Sequence, residues 1–335
     1  VPFLFAVDCI MSESAEMADV ILPDRTYLER FDLVPIHTPT HSGHALRQPV
    51  VEPLYNTRHI VDILIDIAER AGFLYGEGGF NDHLNRRLGL RGKYKLNLNE
   101  KYTNEEILDR LCRSLYGDEY DLEWFKKNGV KAEALKPHQR YMRYRQNGRV
   151  YRMHLYSETI KEAGDALRRE VERLGLAWWK SYQYYQPLPV YIEPSAYGSE
   201  TSFDLHLITY KLVEHTVSRT AQNAWLMELY GLGVPGLEEP RLLISSIDAE
   251  RRNIKDGEEV WVESPSGKIR VRALVVEGIK PGVVGLSTHF GHWAFNRYAK
   301  GVGVNVNKLI PLGEDYIDPI SGQQAFNDTK VRVYK

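Results

Sequence analysis

The chain has 335 residues, enough for two domains of ordinary size with a sizeable buried core, which excludes a disordered tail and a mini-scaffold held by staples. Its 43 Lys and Arg against 45 Asp and Glu leave a net charge of −2, so it lacks the broad basic footprint of a nucleic-acid binder or polybasic membrane surface, and any charged ligand must be held locally. Its two cysteines, Cys9 and Cys112, form neither a disulfide framework nor a zinc or cluster spacing, and no segment approaches the roughly 20 apolar residues of a membrane span.

The opening run Val1 to Val7 is apolar throughout and of strand length. It is expected to be a strand buried on both faces, as in a parallel sheet, ending at Asp8 and the Ser12-Glu13-Ser14 turn. A short helical step from Ala15 to Ala18 leads to a second apolar strand, Val20-Ile21-Leu22, stopped by Pro23. Such strands need neighbours and covering helices, and neither an initiator Met nor a signal-peptide start precedes them. The first domain is therefore expected to be the end of a larger α/β domain that begins upstream of Val1.

Residues 31–53, rich in His and Pro, are expected to be irregular. His37, His41 and His44 are closely spaced there, but Pro39 and Gly43 suggest a surface loop and no acid or thiol completes a ligand set, so no metal is assigned. Lining of a substrate entrance is the alternative for these three potential proton carriers. A helix follows from about Thr57 to Ala71, with Ile60, Ile63, Leu64, Ile67, Ala68 and Ala71 on its buried stripe and Gly72 as a left-handed cap. A second, Glu105 to Tyr116, is announced by the capping box Thr103-Asn104-Glu105-Glu106 and closed by Gly117. Asp121 to Lys127 makes a shorter one. Glu158 to Leu174 makes the last long one, with Ile160, Ala163, Leu167, Val171 and Leu174 on one face and Gly175 behind it.

The Tyr- and Pro-rich stretch 182–189 reads as an extended linker, and beyond Ser202 the apolar period changes from helical to alternating, which places a domain boundary near 186–202. Strands are expected at Phe203–Tyr210, Leu242–Ser245, Glu259–Glu263, Lys268–Glu277 and Val283–Ser287, with a short helix at Ile247–Arg252 and turns at 255–257 and 264–267. Short strands at this spacing suggest a small closed barrel.

Several of these segments, in order, resemble the C-terminal part of the catalytic subunit of the dimethyl-sulfoxide-reductase family of molybdopterin oxidoreductases. They are the stretch from Ser12 to Pro23, then Ile208-Thr209-Tyr210-Lys211 with His215-Thr216-Val217-Ser218-Arg219-Thr220 and Asn223, then Ile254 to Val260, Phe290-Gly291-His292-Trp293, and the tail from Asn305 to Asp318-Pro319. Gln48 to Pro53 resembles the branch that reduces sulfur and arsenic oxyanions. Thr209-Tyr210-Lys211 departs from the Thr-Gly-Arg of many relatives. The resemblance implies an α/β domain remnant with a helical insertion over 1–185, followed by a C-terminal double-psi β-barrel over 186–335.

It further implies a bis(molybdopterin guanine dinucleotide) cofactor with molybdenum or tungsten, whose metal ligand and 4Fe-4S cluster would lie in a missing N-terminal part. No catalytic or metal-ligating residue is assigned in this chain. The candidate cofactor-binding residues are Ser12, Glu13, Ser14, Lys211, His215, Thr216, Ser218, Thr220, Asn223, His292, Trp293, Asn305, Asn307 and Asp318. Hydroxyls and backbone N–H groups with the Lys211 charge suit pyrophosphate oxygens. Asn and Asp side chains suit the mixed donors and acceptors of guanine and pterin. His292 and Trp293 offer flat surfaces with N–H donors. Several have a plainer alternative: a helix cap at Ser12, cap and strand-end bonding by the hydroxyls, turns at Asn305 and Asn307, and packing by Trp293.

The implied reaction is two-electron oxygen-atom or sulfur transfer, with polysulfide, thiosulfate or tetrathionate ahead of arsenate as substrate. Implied partners are the N-terminal part, a membrane anchor and an iron-sulfur electron-transfer protein, at the periplasmic face of the cytoplasmic membrane. No nucleic acid and no direct membrane span are expected. The alternatives are a non-catalytic dinucleotide-binding module or split subunit, and a barrel whose cofactor site has decayed.

Overall fold

A computed structural model of the chain describes residues 2–136, 140, 145–146, 149–150, 155–177, 184–191, 197–198, 201–216, 220–229, 240–294 and 298–335. They fall into two compact units, Val1–Arg152 and Met153–Lys335.

In the first unit β1 (Phe5–Asp8) and β2 (Val20–Pro23) run parallel, joined through α1 (Glu13–Glu16). The pair forms a sheet of its own, and Phe3, Phe5, Val20 and Ile21 are exposed. Among the described residues no third strand joins this pair.

The expectation for residues 31–53 needs correction. They hold an antiparallel hairpin of β3 (Asp32–His37) and β4 (His41–Arg47), joined by β5 (Val130–Ala134) on the far side of β4. Two strand breakers conceal it. Pro35 sits on the edge strand, where no outer partner needs its N–H. Gly43 sits where a Cβ would lie 2.1 Å from the Lys131 carbonyl oxygen. The three histidines therefore belong to a sheet rather than a loop, and His44 Nδ1 is hydrogen-bonded to the Tyr116 hydroxyl at 2.7 Å.

Asp32 ties the hairpin to the next helix. Its carboxylate accepts from Arg30 Nε at 3.0 Å and from Arg47, and it faces His59 Nε2 at 3.7 Å. Burial works to raise its pKa, but the contacts with His59 and Arg47 and the charge of Arg30 outweigh it and hold the carboxyl well below the usual carboxylate range.

α2 (Ile60–Arg70) starts with His59 Nδ1 accepting from the Val61 N–H at 3.1 Å, and Gly72 stands just past its end at φ 79°. Its Ile65 and Ala68 pack with Leu74, Leu90, Leu96 and Ile107. The sequence period misses α3 (Phe80–Leu88), because its buried face carries asparagines. Asn85 donates to the Leu96 carbonyl at 3.0 Å and accepts from the Leu96 N–H at 2.7 Å. α4 (Asn104–Tyr116) closes the expected capping box in both directions between Thr103 and Glu106. α5 (Leu122–Asn128), capped by Asp121, packs Leu122 and Phe125 against Leu46, Leu108 and Cys112. Burial pushes the Cys112 thiol up to about 12. The two-residue strands β6 (Arg145–Gln146) and β7 (Arg149–Val150) pair with each other.

The second unit begins with α6 (Glu158–Leu174), where Gly164 lets Tyr185 pack directly on the helix backbone. Then come β8 (Leu205–Tyr210), α7 (Ala224–Leu229), β9 (Leu242–Ser245), α8 (Ser246–Arg251), β10 (Glu259–Ser264), β11 (Gly267–Val276), β12 (Val283–Ser287) and β13 (Thr329–Tyr334). The strands close into a six-stranded barrel in the order β10-β11-β9-β12-β8-β13. β8 pairs parallel with β12 and β9 parallel with β11, and the other four contacts are antiparallel.

Alternate side chains face inward, as the strand period requires. They include Leu205, Leu207, Leu242, Ile244, Val260, Val262, Val271, Val284, Val331 and Val333, which form one apolar core. The buried carboxylate of Asp248 fixes the entry to β12, accepting from Ser245 Oγ at 2.7 Å and from the Gly282 N–H at 2.6 Å. Five of the six barrel strands are legible in the sequence as short apolar or alternating runs. β13 and α7 are not.

Candidate functional site

The barrel carries the larger group of candidate residues on the connections after β8 and β12. After β8, His215 is buried, and its Nδ1 lies 3.2 Å from Thr220 Oγ1, which also accepts the Thr216 N–H at 2.9 Å. Two of the three candidate hydroxyl residues thus join the histidine in one knot. Ser218 lies outside the described residues. Asn223 caps α7, its Oδ1 accepting from the N–H groups of Trp225 at 3.1 Å and Leu226 at 3.4 Å. Lys211 is exposed just past β8.

After β12 the chain runs through Thr288, His289, Phe290, Gly291, His292 and Trp293. Phe290 packs edge-on to the His215 ring at 5.6 Å and, with Ala221, Ala299, Leu212, Met227 and Val302, forms a small apolar cluster that unites the two connections. Burial holds the His215 imidazole below the usual histidine range. Gly291, at φ 85°, lies so close to the returning chain that a Cβ would stand 2.1 Å from Asn305 N. This approach puts His292 and Asn305 on one cavity of about 280 Å³, together with Trp261, Lys268, Arg270 and Lys308. Lys268 Nζ lies 4.9 Å and the Arg270 guanidinium carbon 5.8 Å from the centre of the Trp261 ring. Three cations, an amide, an imidazole and an aromatic ring around one hollow suit a ligand that carries both phosphate and flat heterocycles.

Other candidates stand apart or satisfy themselves locally. Asn305 Oδ1 accepts the Asn307 N–H at 3.0 Å and so caps the 3-10 turn Val306–Leu309, and the Asn307 side chain is exposed. Asp318 Oδ1 accepts from Ile320 N, Ser321 N and Ser321 Oγ at 3.1, 2.7 and 2.8 Å, closing its own turn. Trp293 is 53% exposed, which does not suit a core residue. Ser12, Glu13 and Ser14 belong to the first unit. There Ser12 caps α1, accepting from the Ala15 N–H at 3.3 Å and donating to Asp8 Oδ2 at 2.6 Å. Among the described residues no group of three or more His, Cys, Asp and Glu side chains is placed to hold a metal ion, and no helix is long and apolar enough to cross a membrane.

Sequence reading missed His289, Trp261, Lys268, Arg270 and Lys308. His289 directly precedes the Phe290-to-Trp293 motif and was open to notice. The cations on β11 and after Asn305 carry no local signal, because only the β10–β11 register and the return past Gly291 bring them together.

Residues 2–70 match the family described as molybdopterin oxidoreductase, and residues 205–330 match the molydopterin dinucleotide binding domain. These two matches, with the relatives that follow, fit the dimethyl-sulfoxide-reductase family of molybdopterin oxidoreductases. The second match covers five barrel strands, β8 to β12, and the first two residues of β13. The chain is 26% identical over 417 aligned residues to a sulfite dehydrogenase subunit of Allochromatium vinosum, covering 100% of this chain and 39% of that protein. It is 28% identical over 318 residues to the thiosulfate reductase molybdopterin-containing subunit of Salmonella typhimurium, covering 94% and 37%. Acetylene hydratase from Pelobacter acetylenicus shares the fold, with a TM-score of 0.63, 18% identity, and coverage of 99% of this chain and 40% of that one. The chain thus spans about two fifths of the length of these relatives.

Proposed function

We propose that this chain is the cofactor-closing C-terminal portion of a molybdenum or tungsten bis(molybdopterin guanine dinucleotide) oxidoreductase. We assign 1–185 to the end of its α/β domain with a helical insertion, and 186–335 to a double-psi barrel. The observation that carries the reading is the basic, aromatic-edged cavity that brings His292 and Asn305 together on a barrel matched to a dinucleotide-binding domain.

The donor set fits such a group. When bound, the metal and its dithiolenes supply two-electron oxygen-atom or sulfur transfer. The chain's own residues bind and orient. Lys268 and Lys308 bring point charges to phosphate, and Arg270, held by Glu259 at 2.8 Å, offers its remaining N–H groups. His292 and Asn305 donate to heterocycle edges, and Trp293 gives a flat exposed surface. Lys211, His215, Thr216, Ser218, Thr220 and Asn223 supply hydroxyls, an imidazole and an amide to the pyrophosphate run. Asn307 and Asp318 complete the polar set of the second unit, and Ser12, Glu13 and Ser14 that of the first.

For the whole protein we assign reduction of polysulfide, thiosulfate or tetrathionate, with arsenate next, in anaerobic respiration. A thiosulfate reductase and arsenate reductases among the similar proteins support the sulfur and arsenic substrate classes without ranking them. A 4Fe-4S cluster in the N-terminal part, an iron-sulfur partner protein, a membrane anchor and a periplasmic location belong to the same proposal. The test is a pair of variants, His292→Ala and Asn305→Ala, in the full catalytic subunit, with metal and pterin measured per folded molecule. Both are expected to lose cofactor while the barrel stays folded. Full cofactor content in both would overturn the assignment of this cavity.

A further inference from the structure

Lys268, Arg270 and Lys308 meet on the cavity beside His292, and like charges do not gather unaided. Two of them have company close by: Arg270 is paired with Glu259 at 2.8 Å, and Lys268 Nζ stands 4.9 Å from the centre of the Trp261 ring. The place of the third is set through its backbone. Lys308 belongs to the 3-10 turn Val306–Leu309, whose Val306 and Leu309 side chains sink into the barrel core and leave Lys308 exposed between them. At one end of this turn the close approach of Gly291 fixes Asn305. At the other end lies the hairpin between β10 and β11. There Ser264, only 3% exposed, donates its hydroxyl to the Leu309 carbonyl at 2.7 Å and accepts the Ser266 N–H at 3.1 Å, so both roles of the hydroxyl are used. Gly267, opposite Ser264 in the register, lies so near the turn that a Cβ would stand 2.7 Å from the Lys308 carbonyl oxygen. Gly267 directly precedes Lys268, so the same contact brings the backbones of two like-charged residues together.

We infer that Ser264 and Gly267 are positioning residues that seat the turn 305–309 on the β10–β11 hairpin and thereby hold Lys308 on the same cavity as Lys268. Neither residue needs to touch a ligand. The hydroxyl of Ser264 sets where Leu309 sits, the missing side chain of Gly267 sets how near Lys308 comes, and together they oppose the mutual repulsion of the cations. The consequence for a ligand, a fixed grip on a nucleoside diphosphate, rests on the cofactor reading, whereas the seat itself does not depend on it.

The test is a double-mutant cycle in the full catalytic subunit prepared without cofactor, with guanosine diphosphate as the probe in titration calorimetry and amide hydrogen exchange on the same samples. Ser264→Ala should speed exchange of the Asn307, Lys308 and Ile310 amides, which are bonded within the turn, by about tenfold. Gly267→Ala, whose Cβ pushes on the Lys308 carbonyl, should do the same and serves if the first variant does not fold. Lys308→Ala should weaken the probe about tenfold, and Ser264→Ala about three- to tenfold. In the Lys308→Ala background Ser264→Ala should add less than about twofold, because its effect runs through Lys308; a merely structural serine would give the same factor in both backgrounds. Unchanged exchange in the turn, or equal factors in both backgrounds, overturns the positioning role. A parent that binds no guanosine diphosphate, or binds it equally well after Lys308→Ala, while the turn loosens in the variants, leaves the seat standing and removes the cofactor reading of the cavity.

Discussion

Replacing Trp293 by Ala separates a ligand-facing ring from a packing ring. Truncating a fully buried Trp costs about 3–5 kcal/mol. Trp293 is 53% exposed, so about half of that loss applies, roughly 1.5–2.5 kcal/mol. At about 2–4 °C per kcal/mol for a unit of this size, the cofactor-free thermal midpoint should fall by about 3–10 °C. Molybdenum or tungsten and pterin, measured per folded molecule well below that midpoint, should fall several-fold, because the exposed face of the indole is the part assigned to the ligand. A loss of the full 3–5 kcal/mol, about as large as a core Trp gives, with cofactor content per folded molecule unchanged, would refute the assignment and return Trp293 to packing.

Three further outcomes follow from named contacts. Gly291→Ala combines a left-handed backbone with a Cβ placed 2.1 Å from Asn305 N, so it should destabilise the barrel by more than about 2 kcal/mol and separate His292 from Asn305, visible as a lower urea midpoint together with cofactor loss. Asp32 has a lowered carboxyl pKa, so its contribution is complete above the unfolded value of about 3.9 and is lost as pH falls below it; Asp32→Asn should lower stability at neutral pH and flatten the acid limb of the stability curve below about pH 4. Burial pushes the Cys112 thiol up to about 12, so it should resist a thiol reagent at about pH 8 until the first unit unfolds, while the more exposed Cys9 reacts first.

What could be read from the residues follows the strength of their local signals. The capping box at Thr103 and Glu106, the glycines after α2 and α6, and the alternation in β10 and β11 each act within a few residues, and these elements formed where expected. The hairpin of β3 and β4 was hidden because Pro35 and Gly43 are breakers by propensity, and only an edge position and a close neighbouring backbone make them fit. α3 was hidden because Asn81 and Asn85 fill the inward face that apolar residues usually mark. The family resemblance supplied ligand chemistry that periodicity cannot. Even so, it named single residues without their neighbours. Lys268, Arg270 and Lys308 reach His292 only through the barrel register and the tight return at Gly291. Asn305, Asp318 and Ser12 show the converse: their side-chain oxygens serve local turns and caps.

The most direct test of the central claim is the cofactor stoichiometry of the native polypeptide that contains this sequence, purified from its source and hydrolysed in acid. Two pterins and two guanine nucleotides for each molybdenum or tungsten are expected. A folded native protein that carries neither pterin nor metal would contradict the account.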